Sequence, residues 1–508
     1  TLLDIYGASD RLLFSENDYR NPSNSKVISA LQELMCDKDF CTLYSLFMLA
    51  LARKELSACS FRLFIGEKPN ITPVMNEDLS TEKTEEELKE AIVDERGVKY
   101  SKDGRKLLKA TEGLSGAYSV KEGTRIICDS AFSWRSYLSE IVIPASVTSI
   151  GHGAFTGCSS LTCISIPKSV ICLNGNPFFL WNSKLECLSP NFVYEDDVLF
   201  NKDKSRIISF RNRNVESYVI PSSVTSIGDR AFNDCSSLSE IVIPASVTSI
   251  GDFAFCSCRS LCKIVIPASV TSIGDHAFSG CSSLSEIVIP ASVTSIGDCA
   301  FHDCSSLSEI VIPASVTSIG DSAFWGCSSL SEIVIPASVT SIGDSAFSDC
   351  HSLSKIVIRS SVTSIGKGAF WGCDSLSEIV IPSSVTSIGD DAFWDCDSLS
   401  EIVIPSSVTS IGGCAFSGCH SLSKIVIPSS VTSIGDSAFS GCSSLSNIVI
   451  PSSVTSIGRG AFHYCRSLSK IVIPSSVNSI GFGAFRNCNF PNDLKQELIS
   501  QFGESIFW

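Results

Sequence analysis

LSEIVIPASVTSIGDCAFHDCSS, residues 284–306, returns almost unchanged every 23 residues through the second half of this 508-residue chain. Its glycine falls at Gly228, Gly251, Gly274, Gly297, Gly320, Gly343, Gly366, Gly389, Gly412, Gly435, Gly458 and Gly481, with no insertion in that run. A fixed period of this size marks stacked coils, each too small to bury its apolar side chains alone and each covering its neighbour. Within the coil, Leu284, Ile287 and Ile289 form a first inward set, and Pro290 then ends the strand. Val293 and Ile296 form a second. Gly297 permits either a positive φ or a close backbone approach, and Asp298 is placed to cap a single helical turn that carries Ala300 and Phe301 inward and ends at Cys304. Such a solenoid grows by addition along one axis, so the chain length does not imply several domains.

Outward from this array the pattern changes in steps. Residues 1–92 carry no repeat and read as a mainly helical N-terminal region, with helices expected over Ser25–Lys54 and Thr81–Glu95. In the second, Ser80 or Thr81 is placed to cap, Glu85, Glu86 and Glu87 favour the positive end of the helix dipole, and Leu88, Ala91 and Ile92 form its stripe. This region either caps the open solenoid end or stands as a separate domain. Residues 93–125 form a β-hairpin entry, 126–190 a first repeat block, 191–214 a second hairpin insertion, and 215–488 the regular repeats. The two hairpins are related: GVKYSKDGRKLL at 97–108 matches DVLFNKDKSRII at 197–208, with turns at Lys102-Asp103-Gly104 and Lys202-Asp203-Lys204. Residues 489–508 form a C-terminal cap whose helix, Pro491–Phe502, places Leu494, Leu498, Ile499 and Phe502 on one side. Phe507 and Trp508 are expected to cover the last coil.

Composition narrows the function. Lys and Arg total 38 against 53 Asp and Glu, a formal charge of -15, which disfavours nucleic acid and anionic membrane surfaces as partners. The apolar stretch Leu43–Ala52 is about half the roughly 20 residues needed to span a bilayer, so membrane insertion is not expected. No basic start followed by an apolar core is visible in the first thirty residues. Of 24 cysteines, 13 share one repeat position, Cys158 and then Cys235 to Cys488 at every twenty-third residue. Such a column reads as small apolar core filler, although coils about 4.8 Å apart also lie within disulfide range. Cys36, Cys41 and Cys59 fit no zinc spacing, and the other cysteines form no tetrahedral set with the scattered histidines. No metal or cofactor is expected.

The stretch IPASVTSIGDCAFHDCSSL at 289–307, together with the hairpin DERGVKYSKDGRKLL at 94–108, resembles the BspA-like class of leucine-rich repeat proteins of anaerobic bacteria and some parasitic protists. The resemblance covers about residues 95–490. It implies a right-handed curved leucine-rich-repeat solenoid with a parallel β-sheet on its concave face, a helical N-terminal cap and a short C-terminal helix. It also implies a place at the cell surface or in secretion, binding host matrix proteins, other cell-surface proteins or glycans, with no catalytic residues. A cytoplasmic scaffold whose first 92 residues carry the activity is the alternative. The chain departs from better-known leucine-rich classes in lacking an asparagine ladder, Ser292 standing near that place.

Three outward columns are the candidate partner-binding positions. The strand exposes Val242, Val265, Val288, Val311, Val334 and Val357 beside a charged column that includes Glu286, Glu309 and Glu332. An aligned apolar stripe flanked by charge suits a protein partner, and β-propensity on a pleated face explains the same valines. Trp325, Trp371 and Trp394 share a position after the Ala-Phe pair with His302 and His463; they are either contact residues or covers for a coil edge. The column Asp229, Asp252, Asp275, Asp298, Asp321 and Asp344 suggests capping, because the glycine-rich nonapeptide of calcium β-rolls is absent. No Ser-His-Asp set, phosphate loop or carboxylate cleft assembles from near-identical coils, so no enzyme activity is expected.

Overall fold

A computed structural model of the protein describes residues 80–508. The expected helix Ser25–Lys54, the cysteines before residue 60 and the cap assigned to the first residues lie outside the described ones. The described residues form one compact unit, a parallel β-solenoid of 23-residue coils.

The helix expected at Thr81–Glu95 is shorter. Helix α1 spans Glu85–Lys89 and is capped by Thr84, whose hydroxyl accepts from Glu87 N at 3.1 Å while the Glu87 carboxylate accepts from Thr84 N at 2.8 Å. Thr81 is not the cap. It is buried against the coils, its hydroxyl donating to Asp129 Oδ1 at 2.6 Å and accepting from Asn174 Nδ2 at 2.8 Å. Leu88 and Ala91 pack on Leu108, Ile126 and Cys128, but Ile92 is exposed because Ile92–Val93, a β-branched pair, joins the antiparallel entry sheet against Lys99–Tyr100.

Both hairpins feed parallel sheets. Arg206–Phe210, the last strand of the second hairpin region, pairs in parallel with Ser226–Ile227, and the Ser-Ile pair of each later coil continues a 15-stranded sheet to Ser479–Ile480. That sheet is an addition to the expected one. The outward Glu-Ile-Val strands, such as Glu286–Val288, form a second parallel stack, broken into a five-stranded run and shorter pairs. Leu284, Ile287, Ile289, Val293, Ile296, Ala300 and Phe301 are all buried, as their spacing requires. Phe301 stacks on Phe278 and Phe324 with centroids 5.5 and 5.4 Å apart and planes within 9° of parallel.

The turn after the glycine is not helical, and two residues of each coil have positive φ instead: Cys299 at 52° and Asp303 at 56°. The repeat glycine itself does not. A Cβ on Gly297 would lie 2.8 Å from the backbone of both Gly274 and Asp275, so glycine is needed for close approach of successive coils. Asp298 likewise does not cap its own coil. Its Oδ1 accepts the backbone N–H of Asp321 in the next coil at 2.8 Å, and Asp252, Asp275, Asp321 and Asp344 repeat the bond. In place of an asparagine ladder, Ser292 Oγ donates to Val270 O at 2.5 Å, and the same bond recurs along most coils. Ser338 and Ser361 break that ladder, their buried hydroxyls having no partner.

The cysteine column is more than apolar filler. Cys304 Sγ donates to the carbonyl of Phe278 in the preceding coil at 3.2 Å, and Cys281, Cys327, Cys350 and Cys373 do the same with their own predecessors. All the described cysteines are free. Burial pushes the column thiols well above their ordinary value, and neighbouring thiols add to the shift for Cys281, Cys304 and Cys327. Because the thiolate is the reactive form, alkylation of the native chain followed by peptide mapping should label exposed Cys262 first and the column from Cys258 to Cys465 only as coils unfold. Rapid labelling of Cys350 or Cys373 in native conditions would contradict this packing.

The two repeat blocks meet at a stacked joint. Arg230 donates from Nε to His152 Nε2 at 3.1 Å and lies over the rings of Phe179 and Phe253, 4.5 and 3.7 Å from their centroids. At the other end, α2 spans Asn492–Phe502 with Leu498 buried, and the chain then continues the coil ladder, Phe485 N donating to Ile506 O at 2.8 Å. Ile506 and half-buried Phe507 cover the last coil; Trp508, expected to do so, is 60% exposed.

Candidate functional site

The outward strand residues form one continuous surface because their strands are in register. Glu286 sits opposite Glu309 and Val288 opposite both Val265 and Val311, and the valine column continues through Val357, Val380 and Val403. Val242, Val265, Val288, Val311 and Val334 are exposed, Val311 at 79%. Val357 is the exception. It is half-buried, in the coil where Arg359 replaces the usual proline and Ser361 loses its ladder bond.

Glu286, Glu309 and Glu332 are exposed beside the valines. Lys263 pairs with Glu286 at 3.0 Å, but both side chains are more than half exposed, which limits the pair to less than about 1 kcal/mol. Glu309 has no ion pair among the described residues and faces Glu286 directly, an arrangement of like charge that disfavours the isolated sheet.

The tryptophans lie on the turn, away from that strand surface. Trp325 is committed within the protein: its Nε1 donates to Asp349 Oδ2 at 2.7 Å and its ring meets His302 edge-on at 5.0 Å. Trp371 and Trp394 stack at 5.1 Å with an interplanar angle of 8°, and Trp371 is 36% exposed. These contacts tie each tryptophan to a neighbouring coil. The column does not join the valines and glutamates in one site.

Sequence reasoning missed a cavity of about 310 Å³ near the C-terminal end, built where Arg459, Phe482 and Arg486 replace the usual repeat residues beside His463. The signal was present as departures from the repeat. Among the described residues no group of His, Cys, Asp or Glu is placed to hold a metal ion, and no helix is long and apolar enough to cross a membrane.

A profile described as the BspA type leucine-rich repeat region, in six copies, matches residues 119–202, 206–329, 272–400 and 386–508. The chain belongs to the BspA-type leucine-rich repeat family. Solved structures similar to this BspA-type array include a leucine-rich repeat protein from Bacteroides ovatus, 26% identical, covering 82% of this chain and 95% of that one with a TM-score of 0.46. A leucine-rich cell surface protein from Faecalibacterium prausnitzii is 27% identical over 82% of this chain and 98% of its own, TM-score 0.39. A leucine-rich repeat protein from Eubacterium ventriosum is 24% identical over 59% of this chain and 82% of its own, TM-score 0.36. No curated protein matches the chain.

Proposed function

We propose that this BspA-type array is a non-enzymatic, adhesin-like scaffold that binds a protein or glycan partner, such as a host matrix or cell-surface component, through its valine strand surface. The observation that carries the reading is the in-register column of exposed valines, which continues coil after coil with no part of the described chain covering it. Exposed apolar side chains aligned into one stripe and rimmed by charge are a feature of interaction surfaces. Glu309, which faces Glu286 and has no ion pair among the described residues, selects a basic group in the partner, because a cation there removes the like-charge repulsion. A surface or secreted location accords with what the family resemblance implies. The buried cysteine column does not oppose it, since buried thiols held in the neutral form are poor nucleophiles and persist in an oxidising compartment.

Threonine keeps the shape and strand preference of valine while removing apolar surface. The triple variant V288T/V311T/V334T should therefore fold normally and lose about tenfold or more in retention on immobilised matrix proteins or glycans that hold the parent chain. Unchanged retention would exclude the valine surface as the binding face.

A further inference from the structure

The cavity near the C-terminal end arises where the repeat is least regular. Three successive coils supply its walls; Asp436 and His463 match Asp298 and His302 of the reference coil, whereas Arg459 and Phe482 stand at the Asp298 position, Ser437, Gly460 and Gly483 at the Cys299 position and Arg486 at the His302 position. At the second of these positions stand Gly460 and Gly483, with φ of 58° and 65°. Equivalent positions elsewhere carry Phe253, His276, Cys299 or Asp391 at similar φ, so the glycines are not needed for backbone conformation alone. Their missing side chains open the floor.

Around that floor the chemistry is mixed and convergent. Arg459 stands where other coils place aspartate, and Arg486 where several place serine; neither guanidinium has an ion-pair partner among the described residues. His463 Nε2 is buried at the wall without a hydrogen-bond partner. Burial, then the charge of Arg486, lowers the His463 pKa, so the ring is neutral at neutral pH and offers a single N–H. Asp436 uses Oδ1 to accept Arg459 N at 2.7 Å and leaves its second oxygen without a partner. Phe482 and Trp508 flank the opening, 50% and 60% exposed, although aromatic rings of this size are usually buried.

A bare phosphate or sulfate would use the arginines but gain nothing from Asp436, whose charge repels it. An aromatic carboxylate would use the arginines and rings and leave Asp436 and Ser437 unanswered. A ligand with one carboxylate, several hydroxyls and an apolar ring face uses every group. A volume near 310 Å³ is at the low end for ligand sites and fits one such ring.

We propose that this cavity binds an acidic monosaccharide unit, a pyranose carrying a carboxylate: Arg459 and Arg486 hold the carboxylate, Asp436 and Ser437 take ring hydroxyls, and Phe482 or Trp508 lies against the ring. The site is separate from the valine surface.

Ligand-observed NMR on the full chain with D-glucuronic acid, D-glucose, benzoate and sulfate provides the test. Glucuronate should bind saturably, and the other three about tenfold more weakly or worse. The variant R459D/R486S restores residues that other coils carry at those positions, so it should melt like the parent yet lose about tenfold or more in glucuronate affinity. G460S fills the floor with a residue tolerated at the equivalent Ser345 and should lower affinity similarly. V288T/V311T/V334T should leave glucuronate binding unchanged, which separates this site from the proposed face. Absence of saturable glucuronate binding, sulfate binding as tightly as glucuronate, or parent affinity in both R459D/R486S and G460S would each overturn the proposal.

Discussion

Raising the pH from 8 to 10 in excess reductant should unfold the array steeply, with the guanidinium midpoint falling far more than for a protein of ordinary cysteine content. The column thiols from Cys258 to Cys465 are buried in the folded chain, and their ionisation is pushed well above the ordinary value near 9.0. Once unfolded, these thiols lose protons from about pH 9 upward, while folded ones keep them. The unfolded state then binds fewer protons, so stability is intact below about pH 9 and declines above it. Between pH 8 and 10 each thiol removes about 1.4 kcal/mol in all, and a segment holding five of them roughly 7 kcal/mol when it opens as a unit. Buried Tyr118 and half-buried Tyr218, also shifted upward, act in the same direction. Replacing Cys327, Cys350 and Cys373 by alanine should flatten the slope even as it lowers stability at pH 8. A midpoint independent of pH over this range would mean that the column is not closed to solvent.

The second large effect contrasts two glycines two positions apart. Gly366→Ala should destabilise the surrounding coils by about 3 kcal/mol or more and split thermal unfolding into separate transitions. Its Cβ would lie 2.5 Å from Gly343 O, 2.6 Å from Gly343 C and 2.7 Å from Asp344 N, all backbone atoms, so the coil stack must part. Gly368→Ser, despite a φ of 57°, should cost less than about 1 kcal/mol, because Ser322 and Ser345 already hold the equivalent position at 52°. Differential scanning calorimetry on both variants decides the matter, and equal melting would show that close approach is not what the repeat glycine provides.

The residues whose role is set within one coil were legible in the sequence. Leu284, Ile287, Ile289, Val293, Ile296 and Phe301 face inward by spacing alone, and the structure buries all six. The roles of Asp298, Ser292 and Cys304 were not, because each bonds to a different coil, and a single period read in isolation offers only local partners. The positive φ of Cys299 was hidden for another reason: its neighbour Gly297 drew the expectation of an unusual backbone, and the array places that strain two residues later. The valine and glutamate columns were visible as columns, and their exposure now depends on coil, as Val357 shows. The C-terminal cavity is defined by what Gly460 and Gly483 lack, which no search for a motif detects.

The ladder bonds described above join residues 22, 23 or 26 apart and hardly any other spacing along the regular array. The bonding is thus indifferent to how many coils precede or follow a given one. Removing or duplicating a segment of whole periods rejoins every donor to an equivalent acceptor, whereas a cut of any other size strands a full turn. Recombination between near-identical gene segments naturally produces the former. The chain's reach, about 4.8 Å per coil, is therefore a heritable quantity that can change by whole steps without a new fold having to evolve.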